Sequence, residues 1–449
     1  MNLFQFFATG KDQPLLSNKQ DIDRIYKRNR KLILLAITVG YGIAYTCRLG
    51  LSVVKKPLID NGIFTAIDLG DIGSVLLYTY AFGKLTNGFL ADHANIKRFF
   101  SFGVLISALI NILMGRTELL WIWIVLWGLN GWFQAFGAPT GAVTLANWFS
   151  TRERGKYYGI WSTGHAIGEG LTFIGSAALV SFFGWQAGFW GPGIICIFVA
   201  AGIYLAMQDR PQTLGLPSIA EWKNDHPPSS SESDKIPKKI SRIQLNILKT
   251  PAIWVLGLAS ASMYMTRYAI NSWGFLYLQE AKGYSLIEAG SILGLNTFAG
   301  IAGCVAYGFI SDHLFKAKRP PVTLIFGILE VFSLFIIFFS PPGHPVLLTA
   351  AFVLYGFTLS GLLAVLGGLF AIDIVPRRAA GAAMGFIGIF SYMGAGIQDK
   401  ISGILIEQGT TIVDGIRQYD FSTTVIFWIG SSILSVILAA SLWRVKVTE

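Results

Sequence analysis

Twelve long apolar segments determine what this 449-residue chain can fold into. A helix needs roughly 20 apolar residues to cross the hydrocarbon core of a bilayer. The sequence therefore predicts an all-α membrane protein that crosses the lipid bilayer through twelve transmembrane helices. The predicted spans are about 32–53, 71–91, 97–115, 118–148, 155–182, 185–207, 251–277, 286–310, 320–340, 345–370, 380–406 and 421–443.

The composition excludes the main soluble classes. Apolar residues make up 53% of the chain and charged residues 13%, whereas soluble proteins carry about 25% charged residues. The three cysteines, Cys47, Cys196 and Cys304, lie in apolar stretches without metal-ligand spacing, so neither a disulfide framework nor a metal site is predicted. The chain contains no P-loop and no hydrolase or metalloprotease motif, so we predict no enzyme and no ATP-driven pump.

The basic residues are distributed asymmetrically along the predicted topology. With the N-terminus inside, 26 Lys and Arg residues fall in inner segments, 5 in outer loops and 4 within spans. Lys55 and Lys56 are among the five assigned to outer loops. This bias predicts that both termini are cytoplasmic. It also accounts for the net charge of +10 without a nucleic-acid partner.

A long hydrophilic segment divides the spans into six and six. It contains a run of prolines and serines, Pro227 to Ser233, that is typical of a mobile linker. The predicted organisation is a cytoplasmic N-terminal segment 1–31, a six-helix bundle 32–207, a cytoplasmic linker 208–250, a second six-helix bundle 251–443 and a cytoplasmic tail 444–449.

The two halves repeat three short patterns at nearly one period. The pairs are Gly88-Phe89-x-x-Asp92-His93 with Gly308-Phe309-x-x-Asp312-His313, Tyr45-x-x-Arg48 with Tyr264-x-x-Arg267, and Gly155-x-x-x-Gly159 with Gly381-x-x-x-Gly385. Their offsets of 220, 219 and 226 residues indicate a duplicated six-helix unit.

The Gly-x-x-x-Asp element before basic residues resembles the loop signature of the major facilitator superfamily. The resemblance implies two six-helix bundles around a central cavity, with alternating access as one bundle rocks against the other. It also implies gating or structural roles for Asp92 and Asp312. The alternative for both is ordinary loop capping and salt bridging.

Two arginines lie inside predicted spans, Arg48 in the first and Arg267 in the seventh. A cation at mid-bilayer costs at least about 2.5–3.5 kcal/mol, and neither arginine has a carboxylate three or four residues away. The repeat places both at the cavity, where a bridging anion would offset their repulsion. Planar guanidinium groups match phosphate oxygens, so the pair predicts an anion clamp. The alternative is that each arginine snorkels or pairs with an acid from another helix.

Further polar residues lie within the spans. Lys84 and His165 are candidates to support a bound phosphate, unless Lys84 pairs with Asp92 or Glu169 and His165 only packs. Adjacent Asp399 and Lys400 either contact the organic part of a substrate or form structural ion pairs. Glu169 and Glu330 are expected to be structural, although a proton-coupled carrier would use one such acid. The aromatic side chains expected near the candidate cations are those of Tyr41, Tyr45, Tyr264, Tyr268 and Trp161.

These residues resemble, over nearly the whole chain, the organophosphate:phosphate antiporters of that superfamily, in particular the bacterial hexose-phosphate transporters and sensors. The resembling motifs are Arg48, Tyr80-Ala81-Phe82-Gly83-Lys84, Asn130-x-x-x-Gln134-x-x-Gly137-x-Pro139, Arg152-Glu153-Arg154-Gly155, His165, Arg267-Tyr268-Ala269-Ile270-Asn271-Ser272-Trp273 and Asp209-Arg210-Pro211-Gln212-Thr213-Leu214-Gly215-Leu216-Pro217. The resemblance implies that Arg48 and Arg267 bind the phosphoryl group, supported by Lys84 and His165. It places Asn271 at the same site and implies that no metal and no cofactor are needed.

The chain departs from the family pattern at two positions. Many members have Lys directly after the first-helix arginine, where this chain has Leu49. Many also have Glu in the eighth helix, where this chain has Thr297 beside Asn296. The second departure bears on coupling and substrate range more than on the phosphate clamp.

We therefore expect a bacterial inner-membrane protein, monomeric, that exchanges a hexose phosphate for inorganic phosphate, with glucose 6-phosphate as the expected sugar. Two alternatives remain open from the sequence. One is a membrane sensor of glucose 6-phosphate that signals to a histidine kinase. The other is a proton-coupled carrier of another organic anion.

Overall fold

The computed structural model describes residues 3–225, 249–316, 318–374 and 380–444. The proline- and serine-rich part of the predicted linker, Arg377 and Arg378 of a predicted inner loop, and most of the predicted tail lie outside the described residues.

The first half of the chain contains six membrane-crossing segments, two of which are interrupted. The first crossing is broken at Tyr45, and the fourth at residues 135–136, so each consists of two helices. The helices are α1 (Leu3–Phe7), α2 (Lys19–Ala44), α3 (Thr46–Asp60), α4 (Ala66–His93), α5 (Ile96–Met114), α6 (Leu120–Gln134), α7 (Gly137–Trp148), α8 (Thr151–Phe183), α9 (Ala187–Ala206) and α10 (Ile219–Lys223).

The second half also has six crossings, but its first crossing is a single continuous helix. Its helices are α11 (Pro251–Glu280), α12 (Leu286–Phe309), α13 (Arg319–Phe339), α14 (Pro345–Ala364), α15 (Phe370–Ile374), α16 (Ala380–Gln408) and α17 (Ser422–Ser441). Short π-helical turns, Ile310–Leu314 and Val365–Leu369, follow α12 and α14. Among the described residues, eight helical segments are long and apolar enough by themselves to cross a membrane.

The sequence analysis did not predict the one hairpin in the described residues. Strand β1 (Thr410–Val413) pairs antiparallel with β2 (Ile416–Tyr419). The intervening Asp414 and Gly415 have φ angles of 52° and 75°. An Asp-Gly pair with positive φ at both positions is typical of the two-residue hairpin turn.

Corresponding helices of the two halves begin in the same way. Thr65 and Asp68 form a capping box at the start of α4, and Ser285 and Glu288 form one at the start of α12. Each box satisfies backbone N–H groups that a helix start leaves without partners. The two boxes are 220 residues apart, which adds a local structural feature to the sequence repeat.

The segments rich in Lys and Arg lie at one end of the bundles, which we call the basic end; the opposite end is the far end. At the basic end, residues before and after the first half fold against it. The carboxylate of Asp209 accepts hydrogen bonds from the backbone N–H groups of Gly10 and Ile96. Tyr26 of α2 stacks on Trp222 of α10 with ring centroids 4.2 Å apart.

The two halves pack tightly at the far end. A side chain at Gly73 of α4 would collide with Asp399 of α16, whereas Gly159 and Gly385 near the basic end have open space around them. Within the described residues, the side-chain hydrogen bonds between the halves lie level with the two arginines or farther toward the far end. The central cavity is therefore closed at the far end and open toward the basic end.

Candidate functional site

Arg48 lies at the break in the first crossing, on the first turn of α3. Its side chain is buried, and its Nη2 atom donates a hydrogen bond of 2.7 Å to the hydroxyl of Tyr268 in the other half. Its guanidinium lies 4.0 Å from the ring centroid of Tyr80. Among the described residues its Nε is buried and has no hydrogen-bond partner.

Arg267 of α11 pairs with an acid from another helix, which is the alternative that the sequence left open for each arginine. Its Nη2 lies 2.8 Å from Glu169 of α8. The other oxygen of Glu169 accepts a 2.5 Å hydrogen bond from the amide of Asn271. The sequence did not identify Glu169 as the partner, because this residue lies on a helix 98 residues earlier in the chain.

Tyr268 brings the two arginines to one place. Its hydroxyl contacts Arg48, and its ring centroid lies 5.8 Å from the guanidinium carbon of Arg267. Arg48 and Arg267 therefore face the same point from opposite halves, as the repeat predicts. Whether they bind substrate stays a prediction.

Lys84 faces the open part of the cavity. Its side chain is exposed, and its ammonium lies 5.2 Å from the ring centroid of Tyr392 in α16. Within the described chain it makes no ion pair with Asp92 or Glu169. Sequence reasoning missed Tyr392, which has no charged neighbour in sequence, and did not assign a role to Tyr80. Tyr80 precedes Lys84 by four residues and so shares its helix face, a signal that was available.

A second aromatic cluster continues the cavity wall on α2 and α8. Tyr41 stacks on Trp161 at 5.3 Å, and the ring of His165 lies 5.8 Å from that of Tyr45. Tyr45 joins this cluster to the tyrosines around Arg48, because its ring centroid lies 5.3 Å from the Arg48 guanidinium. On the opposite wall, Tyr264 stacks on Tyr268 at 6.4 Å.

Asp399 and Lys400 form ion pairs with other residues. Asp399 accepts hydrogen bonds from Lys55 at 3.1 Å and Ser272 at 2.7 Å, and all three side chains are buried. Lys400, half exposed, pairs with Asp71 at 2.8 Å. Lys55 was assigned to an outer loop, and that assignment is wrong, because α3 continues to Asp60 and buries Lys55 between the halves.

The remaining acidic candidates from the sequence lie apart from Arg48 and Arg267. Asp92 is exposed at the end of α4, and Asp312 pairs with Arg319 at 2.7 Å. Glu330 is buried within the second half, where it accepts a hydrogen bond from Ser432.

Two helical bundles, each with an interrupted crossing, surround a polar cavity lined by cations. This arrangement defines a multi-pass membrane protein of the transporter type. The sequence model of the Major Facilitator Superfamily matches residues 32–398, and this chain belongs to that family. The prediction of an all-α membrane fold with twelve transmembrane helices in two six-helix bundles is confirmed.

Relatives and solved structures agree with this assignment. The chain is 33% identical to the membrane sensor protein UhpC of Escherichia coli (strain K12) over 88% of this chain and 90% of UhpC. It is 32% identical to a probable hexose phosphate transport protein of Chlamydia muridarum over 88% and 89% of the two chains. A bacterial homologue of the human lysosomal transporter Spinster, solved in an inward-facing and unoccupied conformation, superposes with a TM-score of 0.74 at 16% identity, covering 93% of this chain and 96% of that one.

Proposed function

We propose that this protein exchanges a hexose phosphate, expected to be glucose 6-phosphate, for inorganic phosphate across the bacterial inner membrane, with both termini cytoplasmic. The convergence of Arg48 and Arg267 on Tyr268 carries this proposal. The resemblance to a hexose phosphate transport protein supports the substrate class.

The arrangement of donors suits a phosphoryl group. Arginine presents planar pairs of N–H groups that match two oxygens of phosphate, and it stays charged at any working pH. Arg48 retains a buried donor without a partner among the described residues. Lys84 adds a positive charge on the side of the cavity that is open toward the basic end. Both phosphate and a phosphate ester offer the oxygens that these groups bind.

The two halves supply one arginine each, so a bound anion would attract both halves to the same point. In this mechanism the anion lowers the barrier to closing the basic end and opening the far end. Phosphate and the phosphate ester can both lower this barrier, so the protein exchanges one for the other.

The test is counterflow in reconstituted vesicles. Labelled glucose 6-phosphate outside should accumulate in vesicles loaded with phosphate and should not accumulate in phosphate-free vesicles. Arg48→Lys and Arg267→Lys should each lose exchange, because lysine cannot present the planar fork. Arg24→Lys, at an exposed position on α2, is the matched control and should keep full activity. Full activity in both cavity variants would contradict the clamp.

A second candidate function is sensing, favoured by the resemblance to UhpC. A sensor would bind glucose 6-phosphate saturably without moving it, and a membrane histidine kinase would respond. Binding to the purified protein without phosphate-dependent uptake in vesicles would favour sensing over transport.

A further inference from the structure

We infer that Glu169 makes the cavity selective for phosphate esters of uncharged polyols over phosphate esters that also carry a carboxylate. This inference rests on the proposed function and concerns the same cavity. It starts from the ion pair between Glu169 and Arg267, which joins opposite halves of the protein.

The carboxylate of Glu169 is held in place by two partners. Its side chain is 6% exposed, one oxygen lies 2.8 Å from Arg267 and the other accepts from Asn271 at 2.5 Å. Burial alone would make a carboxylate costly, so an ionised Glu169 requires these two partners. These contacts place the Glu169 carboxylate beside the proposed phosphate site.

The charges around the cavity match a dianion. Arg48, Lys84 and Arg267 carry one positive charge each, and Glu169 carries one negative charge, which leaves two positive charges. At pH 7.5 the imidazole of His165 is mostly neutral. The buried pair of Lys55 and Asp399 is neutral overall and lies toward the far end.

A phosphate monoester carries close to two negative charges above its second pKa of about 6. A neutral polyol phosphate therefore neutralises the cavity. A phosphorylated sugar acid brings a third negative charge, which the cavity does not balance and which Glu169 repels. An unbalanced like charge disfavours binding of the ionised ester, and one unit of such a shift corresponds to a tenfold change in the equilibrium.

Two other features of the cavity do not supply this discrimination. The tyrosines around Arg48 present hydroxyl groups that can hydrogen-bond to both kinds of ester. Glu330 is an acid of the same type, but it is buried against Ser432 within the second half and makes no contact with the three cations.

The experiment compares glucitol 6-phosphate with 6-phosphogluconate, which differ only in a hydroxymethyl group or a carboxylate at one end of the chain. Uptake into phosphate-loaded vesicles at pH 7.5 gives kcat/KM for each ester. Wild-type protein should prefer glucitol 6-phosphate by about tenfold or more. Glu169→Gln should shift that ratio at least tenfold toward 6-phosphogluconate, and Glu169→Asp should keep the wild-type ratio. Glu330→Gln is the matched control and should also keep it.

The outcomes separate the two proposals. If wild-type protein takes up neither ester nor glucose 6-phosphate, the proposed function fails. If it exchanges glucose 6-phosphate but Glu169→Gln leaves the ratio unchanged, this inference fails and the function stands. If Glu169→Gln does not transport, the ratio of dissociation constants for the two esters, measured by ligand-dependent thermal shift of purified protein, gives the same comparison. If Glu169→Gln does not fold, Glu169→Asp is used instead, because it keeps the charge and shortens the side chain. A changed ratio in Glu169→Asp would mean that the role depends on side-chain reach rather than on charge, and the inference would fail.

Discussion

The buried ion pair between Lys55 and Asp399 should control how firmly the far end closes. The two side chains are 0% and 2% exposed and come from opposite halves. In Asp399→Asn the ammonium of Lys55 stays buried without a charged partner whenever the far end is closed. Opening the far end would return it to water, so the variant should favour the far-end-open state.

The magnitude follows from the burial. Removing one partner of a buried ion pair costs about 3–5 kcal/mol. Ser272 still accepts from Lys55 at 2.8 Å, so the lower end of that range applies. A change of about 3 kcal/mol shifts the closed-to-open ratio roughly a hundredfold. The half-exposed pair of Lys400 and Asp71 should contribute at most about 1 kcal/mol.

Distances between spin labels at Asn61→Cys and Thr411→Cys measure this equilibrium, because both positions are exposed at the far end. The background is Cys304→Ala, since Cys304 is exposed and the other two cysteines are buried. Asp399→Asn should add a longer distance that dominates the distribution. Lys400→Gln should leave the distribution nearly unchanged.

A double variant separates charge from packing. Lys55→Met combined with Asp399→Leu removes both charges, and replacing a buried ion pair by apolar residues is often neutral or stabilising. Its label distances should return to the short, closed value. Identical distributions in wild type and Asp399→Asn would refute the reasoning.

Three further outcomes are expected. Gly73→Val should hold the far end open, seen as a longer label distance, because its side chain would collide with Asp399. Trp222→Phe keeps the stack on Tyr26 but loses the indole hydrogen bond to Asp23, so the unfolding free energy should fall by about 1.5–3 kcal/mol in thermal unfolding, as for a bond to a charged group. Glucose 6-phosphate exchange should rise from pH 5.5 to 7.5, because the ester gains its second negative charge near pH 6; a flat profile would count against binding of the dianion.

The sequence predicted those parts of the site that depend on local pattern and duplication. The offset between the two halves was enough to place Arg48 and Arg267 face to face, because corresponding helices of a repeat occupy equivalent positions. The aromatic residues one turn from each arginine, Tyr45 and Tyr264, followed from helical spacing.

The rest depends on contacts between distant segments. Lys55 and Asp399 are 344 residues apart, and neither carries a local sign that the other is its partner. Whether Lys55 reaches water depends on the length of α3. The apolar pattern alone predicted that the first span ends at residue 53. The helix break at Tyr45 has neither proline nor glycine at that position, so the residue type at the break did not predict it.

Glu169 changes how the empty protein should behave. Two unpaired arginines would repel across an empty cavity and resist its closure, which would make exchange obligatory. With Glu169 on Arg267, part of that repulsion is relieved by the protein itself. The remaining barrier then rests on Arg48 and Lys84, whose positive charges have no carboxylate partner among the described residues. Neutralising Glu169 should therefore tighten exchange, so that efflux of loaded phosphate into anion-free buffer falls relative to exchange in Glu169→Gln. Faster net efflux in that variant would mean that the pair with Arg267 slows the conformational change of the empty protein rather than speeding it.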